Sequence, residues 1–226
     1  MSDDPEAQDS PASPPSKLTV TKERWAQEGR FLKGRAAHAE AGRLPPGQHL
    51  VKNWPVLDLG LHPEVSRERW KLRVFGAVEK PTIWDWAAFE ALPQSEITTD
   101  IHCVTTWSRY DNLWSGVLTR NVMAAVRPKD EARFVLLGSS DGYTTNLPLA
   151  DFAAADAMLV RAWEGRPLDT EHGGPVRLVV PHLYFWKSAK WLNEIQFTTH
   201  DRPGFWEVRG YHERGDPWQE QRYSDE

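Results

Sequence analysis

Apolar and polar residues alternate over short spans along this chain, and runs with helical spacing are few, so strands are expected to outnumber helices. Trp70-Lys71-Leu72-Arg73-Val74-Phe75-Gly76 sets large apolar residues against basic ones, as a half-buried strand does. Its partner is expected after the turn at Lys80-Pro81, followed by a short helix around Trp84–Leu92 closed by Pro93. Ile97–Cys103 reads as a strand that carries the cysteine at its end. Leu113–Val117 reads as a short strand and Arg120–Val126 as a short helix. Phe134–Leu137, Met158–Trp163, Val176–Val180 and Glu194–Thr199 are apolar strand runs, with a loop from Ser139 to Tyr143.

Upstream, Thr21 to about Ala41 reads as a helix with Trp25, Phe31 and Leu32 on one face, and His49–Leu59 is extended in character. Residues 1–17 are rich in Pro, Ser, Asp and Ala and read as a disordered tail, leaving 18–226 as one domain. Asp201–Glu226 has no period, yet its Trp and Tyr content predicts that it packs across the domain. Many short strands with a few short helices give an α+β fold, a β-rich mixed domain.

Composition narrows the function. The 226 residues are 40% apolar, enough to bury a sizeable core. No run of about eighteen apolar residues is present, so no membrane-spanning helix is expected. The formal charge of −5 argues against nucleic acid as the main partner. Neither a Gly-x-Gly-x-x-Gly turn after a strand nor a Gly-Lys-Ser/Thr loop occurs, which argues against a Rossmann or phosphate-loop enzyme. The first residues are acidic and polar, with no apolar run and no paired arginines, so a cytoplasmic location is expected. The twelve tryptophans read first as core and cleft packing, and otherwise as a stacking surface for a ligand.

Three segments carry candidate chemistry. Cys103 is the one cysteine, which excludes an internal disulfide. A lone cysteine at a strand end is a buried hydrophobe, a thiolate nucleophile or a metal ligand. His102 points to the opposite face of a strand and cannot act as its base there. One thiolate cannot hold zinc, but it can complete the coordination of a metal carried by an organic cofactor. In Glu171-His172-Gly173-Gly174-Pro175-Val176-Arg177, two glycines let backbone approach a ligand closely, and His172 and Arg177 bracket them as donors to anions. In Lys187-Ser188-Ala189-Lys190-Trp191-Leu192, two lysines three apart stand ready to grip a phosphate, or else form a solvated turn.

In order and spacing, Cys103-Val104, then His172-Gly173-Gly174-Pro175-Val176-Arg177, then Ser188-Ala189-Lys190-Trp191 resemble the molybdopterin domain of the sulfite oxidase family over roughly residues 45–215. Trp206, Arg209 and Tyr211 resemble the Trp-x-x-Arg-x-Tyr stretch that ends that domain. The resemblance implies an oxidoreductase with a Mo-molybdopterin cofactor and Cys103 as the sulfur ligand. It further implies that Asn53, Ser139, His172, Arg177, Ser188, Ala189 and Lys190 contact the pterin or its phosphate, and that Tyr211 is an active-site residue. Arg109, just past the cysteine, is a candidate for binding an anionic substrate.

Animal and plant sulfite oxidases place an Asn-Arg-Arg cluster soon after the cysteine, where this chain has Thr105-Thr106-Trp107-Ser108-Arg109. The Cys-Val-x-x-Trp-Ser pattern looks instead like the bacterial branch that reduces sulfoxides in peptide methionines. The expected function is therefore oxygen-atom transfer on a small-molecule or sulfoxide substrate, with an external electron carrier. Two other readings are a molybdopterin-binding carrier protein without turnover, which would lack a substrate pocket, and a Trp-rich ligand-binding module without metal.

Overall fold

The computed structural model describes residues 42–224 apart from Leu59 and Leu61, together with Val20, Thr21 and Arg24. The tail expected over residues 1–17 lies outside the described residues, as does the body of the helix expected from Thr21 to Ala41.

Two sheets form the domain. The first contains β1 (His49–Leu50), β4 (Gln94–His102), β5 (Trp107–Leu118), β8 (Met158–Trp163), β9 (Arg166–Pro167) and β10 (Arg177–Val179). The second contains β2 (Lys71–Gly76), β3 (Thr82–Asp85), β6 (Phe134–Ser139), β7 (Thr144–Pro148) and β11 (Leu192–Thr198), in the order β3-β2-β11-β6-β7. Short helices join them: α1 (Trp86–Glu90), α2 (Thr119–Val126) and α3 (Leu149–Phe152). Asp85 caps α1 by accepting from the Ala88 N–H at 2.9 Å. This is the expected β-rich α+β architecture.

Burial follows the sequence pattern where a strand has one wet face. In β2, Leu72 and Val74 are buried and Lys71 and Arg73 exposed. Within the first sheet β8 and β10 are covered on both faces, which explains their unbroken apolar runs. Leu159 of β8 and Leu178 of β10 face the main core with Leu72, Val135 and Ile195. Met158, Val160 and Val179 face a second cluster that holds Ile101, Trp114 and Cys103. Arg177 lies two residues from Val179, so the strand period turns it toward this second cluster, where Trp54 and Phe185 flank it.

Two elements differ from expectation. β5 runs twelve residues, not five, because Ser108, Asn112 and Ser115 are polar yet buried and break the apolar signal. Asn112 donates to the Thr99 and Arg109 carbonyls, and Ser108 to the Gln48 side chain. The pair β7 and α3 is not read from the sequence, since Thr145 and Asn146 are buried by hydrogen bonding and interrupt the apolar signal of Leu147 and Phe152. The C-terminal segment does pack across the domain, with Trp206, Tyr211 and Tyr223 in the main core. Among the described residues, no helix is long and apolar enough to cross a membrane.

Candidate functional site

Cys103 is the first residue after β4, in the tight turn to β5. Its N–H donates to the Trp107 carbonyl at 2.8 Å, and its carbonyl accepts from the Thr106 N–H at 3.0 Å. Thr106 takes φ of 75°, a left-handed conformation that costs about 1 kcal/mol and persists only where the surroundings fix it. Two side chains do so. Gln48 donates to the Cys103 carbonyl at 3.2 Å, and Arg222, from the C-terminal segment, donates to the Val104 carbonyl at 2.7 Å. The Cys103 Sγ lies 3.2 Å from the Thr105 hydroxyl. Held this way, the sulfur borders a cleft that is partly open to solvent.

The cleft has polar lining groups. They are Arg177, Ser188, Lys190, Ser139, Asp58 and Asp141. Arg177 is fully buried, and no carboxylate pairs with it among the described residues. Its Nη1 and Nη2 donate to the His172 and Ser188 carbonyls, each at 2.8 Å, and burial holds its guanidinium down to about 9. A cation buried without a counter-anion is costly unless a ligand supplies the anion. The buried Ser139 hydroxyl has no protein partner either. Gly173, at φ +100°, lets backbone pass Lys190, because a Cβ there would stand 2.8 Å from the Lys190 Cβ. Gly173→Ala should therefore lower stability by about 1–3 kcal/mol and displace Lys190, measurable as a drop in melting temperature. A parent-like melting curve would contradict this.

Burial, helped by the Arg177 charge, lowers Lys190 to about 8, while Asp58 pulls the other way from 3.6 Å. Between pH 8 and the ordinary lysine range near 10.5, the unfolded chain binds this proton and the folded one does not. Stability of the ligand-free protein should thus rise with pH across that window. Lys190→Met should flatten the rise in chemical denaturation measured at a series of pH values, and an unchanged slope would contradict the burial of this charge.

Much of the remaining lining is aromatic, with Trp54, Trp107, Tyr143, Phe185, Trp186 and Trp206 as walls. Tyr211 is buried there, 5.1 Å from Trp186 and 5.0 Å from Trp206 between ring centres. Burial raises its phenol well above the ordinary range, with further upward pushes from Tyr223 and Cys103, so the hydroxyl stays protonated at neutral pH.

The residues expected from sequence thus divide. Cys103, Ser139, Arg177, Ser188, Lys190 and Tyr211 meet at one cleft. His172 sits behind the wall, stacked on Trp54 at 4.0 Å and held by Asp169 at 2.8 Å. Ala189 is buried, and its carbonyl accepts from the Leu178 N–H. Asn53 is exposed, and its neighbour Trp54 lines the cleft instead. Arg109 lies elsewhere because the hairpin reverses the chain and sets it opposite Ile101. There it donates to the Lys52 carbonyl at 3.2 Å and to Asn112, and lies over the Trp163 ring. Lys187 does not join Lys190: it is fully buried against Glu207 at 2.6 Å, pointing into the core. Sequence reasoning missed the aromatic walls and the acids Asp58 and Asp141. The tryptophan count was their one signal.

A thiol at the edge of a cleft, a buried guanidinium without a carboxylate partner, an orphan hydroxyl and a lysine form a donor set suited to an anionic, polar cofactor carrying a thiophilic metal. Comparison with known proteins agrees. Residues 59–206 match the family described as oxidoreductase molybdopterin binding domain. The chain is 49% identical over 186 residues to the uncharacterized oxidoreductase YuiH of Bacillus subtilis, covering 82% of this chain and 94% of that one. It is 30% identical over 149 residues to the putative protein-methionine-sulfoxide reductase subunit YedZ1 of Azospira oryzae, covering 66% of this chain and 56% of that protein. It is 27% identical over 172 residues to the protein-methionine-sulfoxide reductase catalytic subunit MsrP of Campylobacter jejuni, again 66% and 56%. The chain therefore spans about half the length of these two reductases. Among solved structures, the sulfane dehydrogenase SoxCD of Paracoccus pantotrophus shares the fold, with a TM-score of 0.58 at 20% identity over 83% of this chain and 60% of that one.

Proposed function

This chain belongs to the oxidoreductase molybdopterin-binding domain family, and on that basis we propose that it transfers an oxygen atom from a neutral, sulfoxide-type substrate at a molybdenum centre ligated by Cys103. It is a molybdopterin-dependent oxidoreductase. When bound, the cofactor supplies the two-electron and oxygen-transfer chemistry. The protein's own groups do the rest. The Cys103 thiolate would ligate the metal, with the Thr105 hydroxyl 3.2 Å from the sulfur to steady its charge. Arg177, Lys190, Ser188 and Ser139 would hold the cofactor's anionic and polar end. An external carrier would deliver the electrons.

The observation that carries the substrate class is the lining of the cleft: its two cations, Arg177 and Lys190, would be taken up by the cofactor's anionic end, and Trp54, Trp107, Phe185, Trp186 and Trp206 make the remaining walls aromatic and neutral. Such a wall excludes water and accepts apolar substituents, but gives a sulfite dianion no cation to replace its hydration. The Tyr211 hydroxyl, kept protonated by its burial, would donate a hydrogen bond to the substrate's oxygen. The likeness to proteins named as an oxidoreductase and as a reductase catalytic subunit favours turnover over the carrier reading.

Two measurements test this. With a reduced viologen as electron donor the molybdenum-loaded protein should consume methyl sulfoxides, and with ferricyanide as electron acceptor it should oxidise sulfite poorly; the reverse preference would sink the proposal. Tyr211→Phe should lower kcat by roughly 100-fold with molybdenum content unchanged. Turnover at the parent rate would remove Tyr211 from the mechanism.

A further inference from the structure

Behind the aromatic wall lies an ion pair that the proposed chemistry does not use. Lys187 and Glu207 are both fully buried in side chain, with Nζ and Oε1 2.6 Å apart. Three donors converge on that one oxygen: the Lys187 ammonium, the Thr145 hydroxyl at 3.0 Å and the Trp186 indole N–H at 3.0 Å. Lys187 also donates to the Asn146 carbonyl and side chain, at 3.0 and 2.9 Å. A buried pair of this kind is a poor stability device, because desolvation consumes most of the attraction and apolar replacements often do as well. What it does provide is direction: it fixes where the indole N–H of Trp186 must point.

Other contacts of Trp186 act the same way. Its carbonyl accepts from the Tyr143 hydroxyl at 2.6 Å. Its ring stacks on Tyr184, with centres 5.4 Å apart, and meets Tyr211 edge-on at 5.1 Å. The far edge of the ring rests on Gly215, where a Cβ would stand 2.6 Å from Cζ2. Clamped on all these sides, the ring cannot swing, and it lines the cleft beside Tyr211.

We propose that the Lys187–Glu207 pair is a positioning device that sets Trp186 as the wall limiting the size of the substrate's substituents, and through that wall keeps Tyr211 in place. The proposal rests on the sulfoxide reading above. Glu207 and Lys187 are positioning residues, and Trp186 is the one that touches substrate.

The experiment uses molybdenum-loaded protein labelled with 5-fluorotryptophan, and dimethyl sulfoxide and methyl p-tolyl sulfoxide as probes. Trp186→Phe assigns the Trp186 fluorine resonance. Lys187→Met/Glu207→Leu removes both charges together, which protects folding, and takes away the indole's acceptor. Lys187→Met/Glu207→Gln also removes both charges but keeps an acceptor oxygen in place. In Lys187→Met/Glu207→Leu the Trp186 resonance should shift or broaden, and the ratio of kcat/KM for the aryl over the dimethyl sulfoxide should rise about 10-fold, mainly through KM. In Lys187→Met/Glu207→Gln both should stay near parent values, because an amide oxygen still accepts the N–H. An unmoved Trp186 resonance in Lys187→Met/Glu207→Leu overturns the clamp. So does an unchanged substrate ratio alongside a lowered melting temperature, the mark of a purely structural pair. A loaded parent that consumes neither sulfoxide overturns the substrate reading alone, and the resonance then decides the clamp.

Discussion

Cys103→Ser is expected to abolish turnover while leaving the fold intact. A serine hydroxyl is harder than a thiol and stays protonated at neutral pH, so it is a poor ligand for a thiophilic metal. Loss of a direct ligand should exceed the 10–100-fold cost typical of outer-shell changes, so activity should fall by more than about 100-fold. The electronic absorption of the loaded protein should change at the same time, because the sulfur ligand contributes to it. Stability should hardly move. Cys103 is buried only as a small group on a turn, the Gln48 and Arg222 hydrogen bonds run to backbone carbonyls, and serine leaves both in place. The measurement is metal analysis, absorption spectroscopy and turnover on parent and variant from a host that makes the cofactor. A variant with parent spectrum and parent activity would return Cys103 to the role of a buried core thiol.

Arg177→Met should have the second largest effect, and its sign depends on whether the cofactor is bound. In the ligand-free protein two terms oppose. The His172, Ser188 and Leu178 carbonyls lose their donors, at about 1–3 kcal/mol for each buried group left unpaired. Against this, the desolvation that holds the guanidinium down to about 9 is relieved. The ligand-free melting temperature should therefore shift by only a few degrees. In the loaded protein the terms no longer oppose, since the bound anion also loses its buried partner. Removing one member of a buried pair costs about 3–5 kcal/mol, a loss of affinity of roughly 100-fold or more. Molybdenum content after purification should collapse, and the stabilisation that loading gives should vanish. Arg177→Lys should rescue little, because one ammonium cannot span carbonyls placed for a planar fork. Full molybdenum content in Arg177→Met would show that the cofactor is held elsewhere.

Both predictions concern residues that stand out in the amino-acid sequence, and for a physical reason. Cys103, Arg177, Lys190 and Tyr211 are residue types whose chemistry is rare at their positions, so their order along the chain carries the family resemblance. β2 and β8 are legible because burial on one face, or on both, writes itself directly into apolar spacing. The first half of β5 and all of β7 are not. Several of their buried positions are polar: Ser108, Asn112, Thr145 and Asn146 enter the core by hydrogen bonding to partners elsewhere along the chain.

Sequence alone was enough for the fold class, the candidate sulfur ligand and the family. Packing in three dimensions selects which of several similar residues serve the site. Lys187 and Lys190 are three apart and chemically alike, yet one turns inward to Glu207 and the other toward the cleft. Arg109 and Arg177 look equally suited to an anion, but a hairpin carries the first away and a strand period points the second in. The cleft wall joins Trp54, Trp107, Trp186 and Trp206, residues from four separate segments. No local pattern can encode such a wall, because each tryptophan is placed by packing against partners distant in sequence.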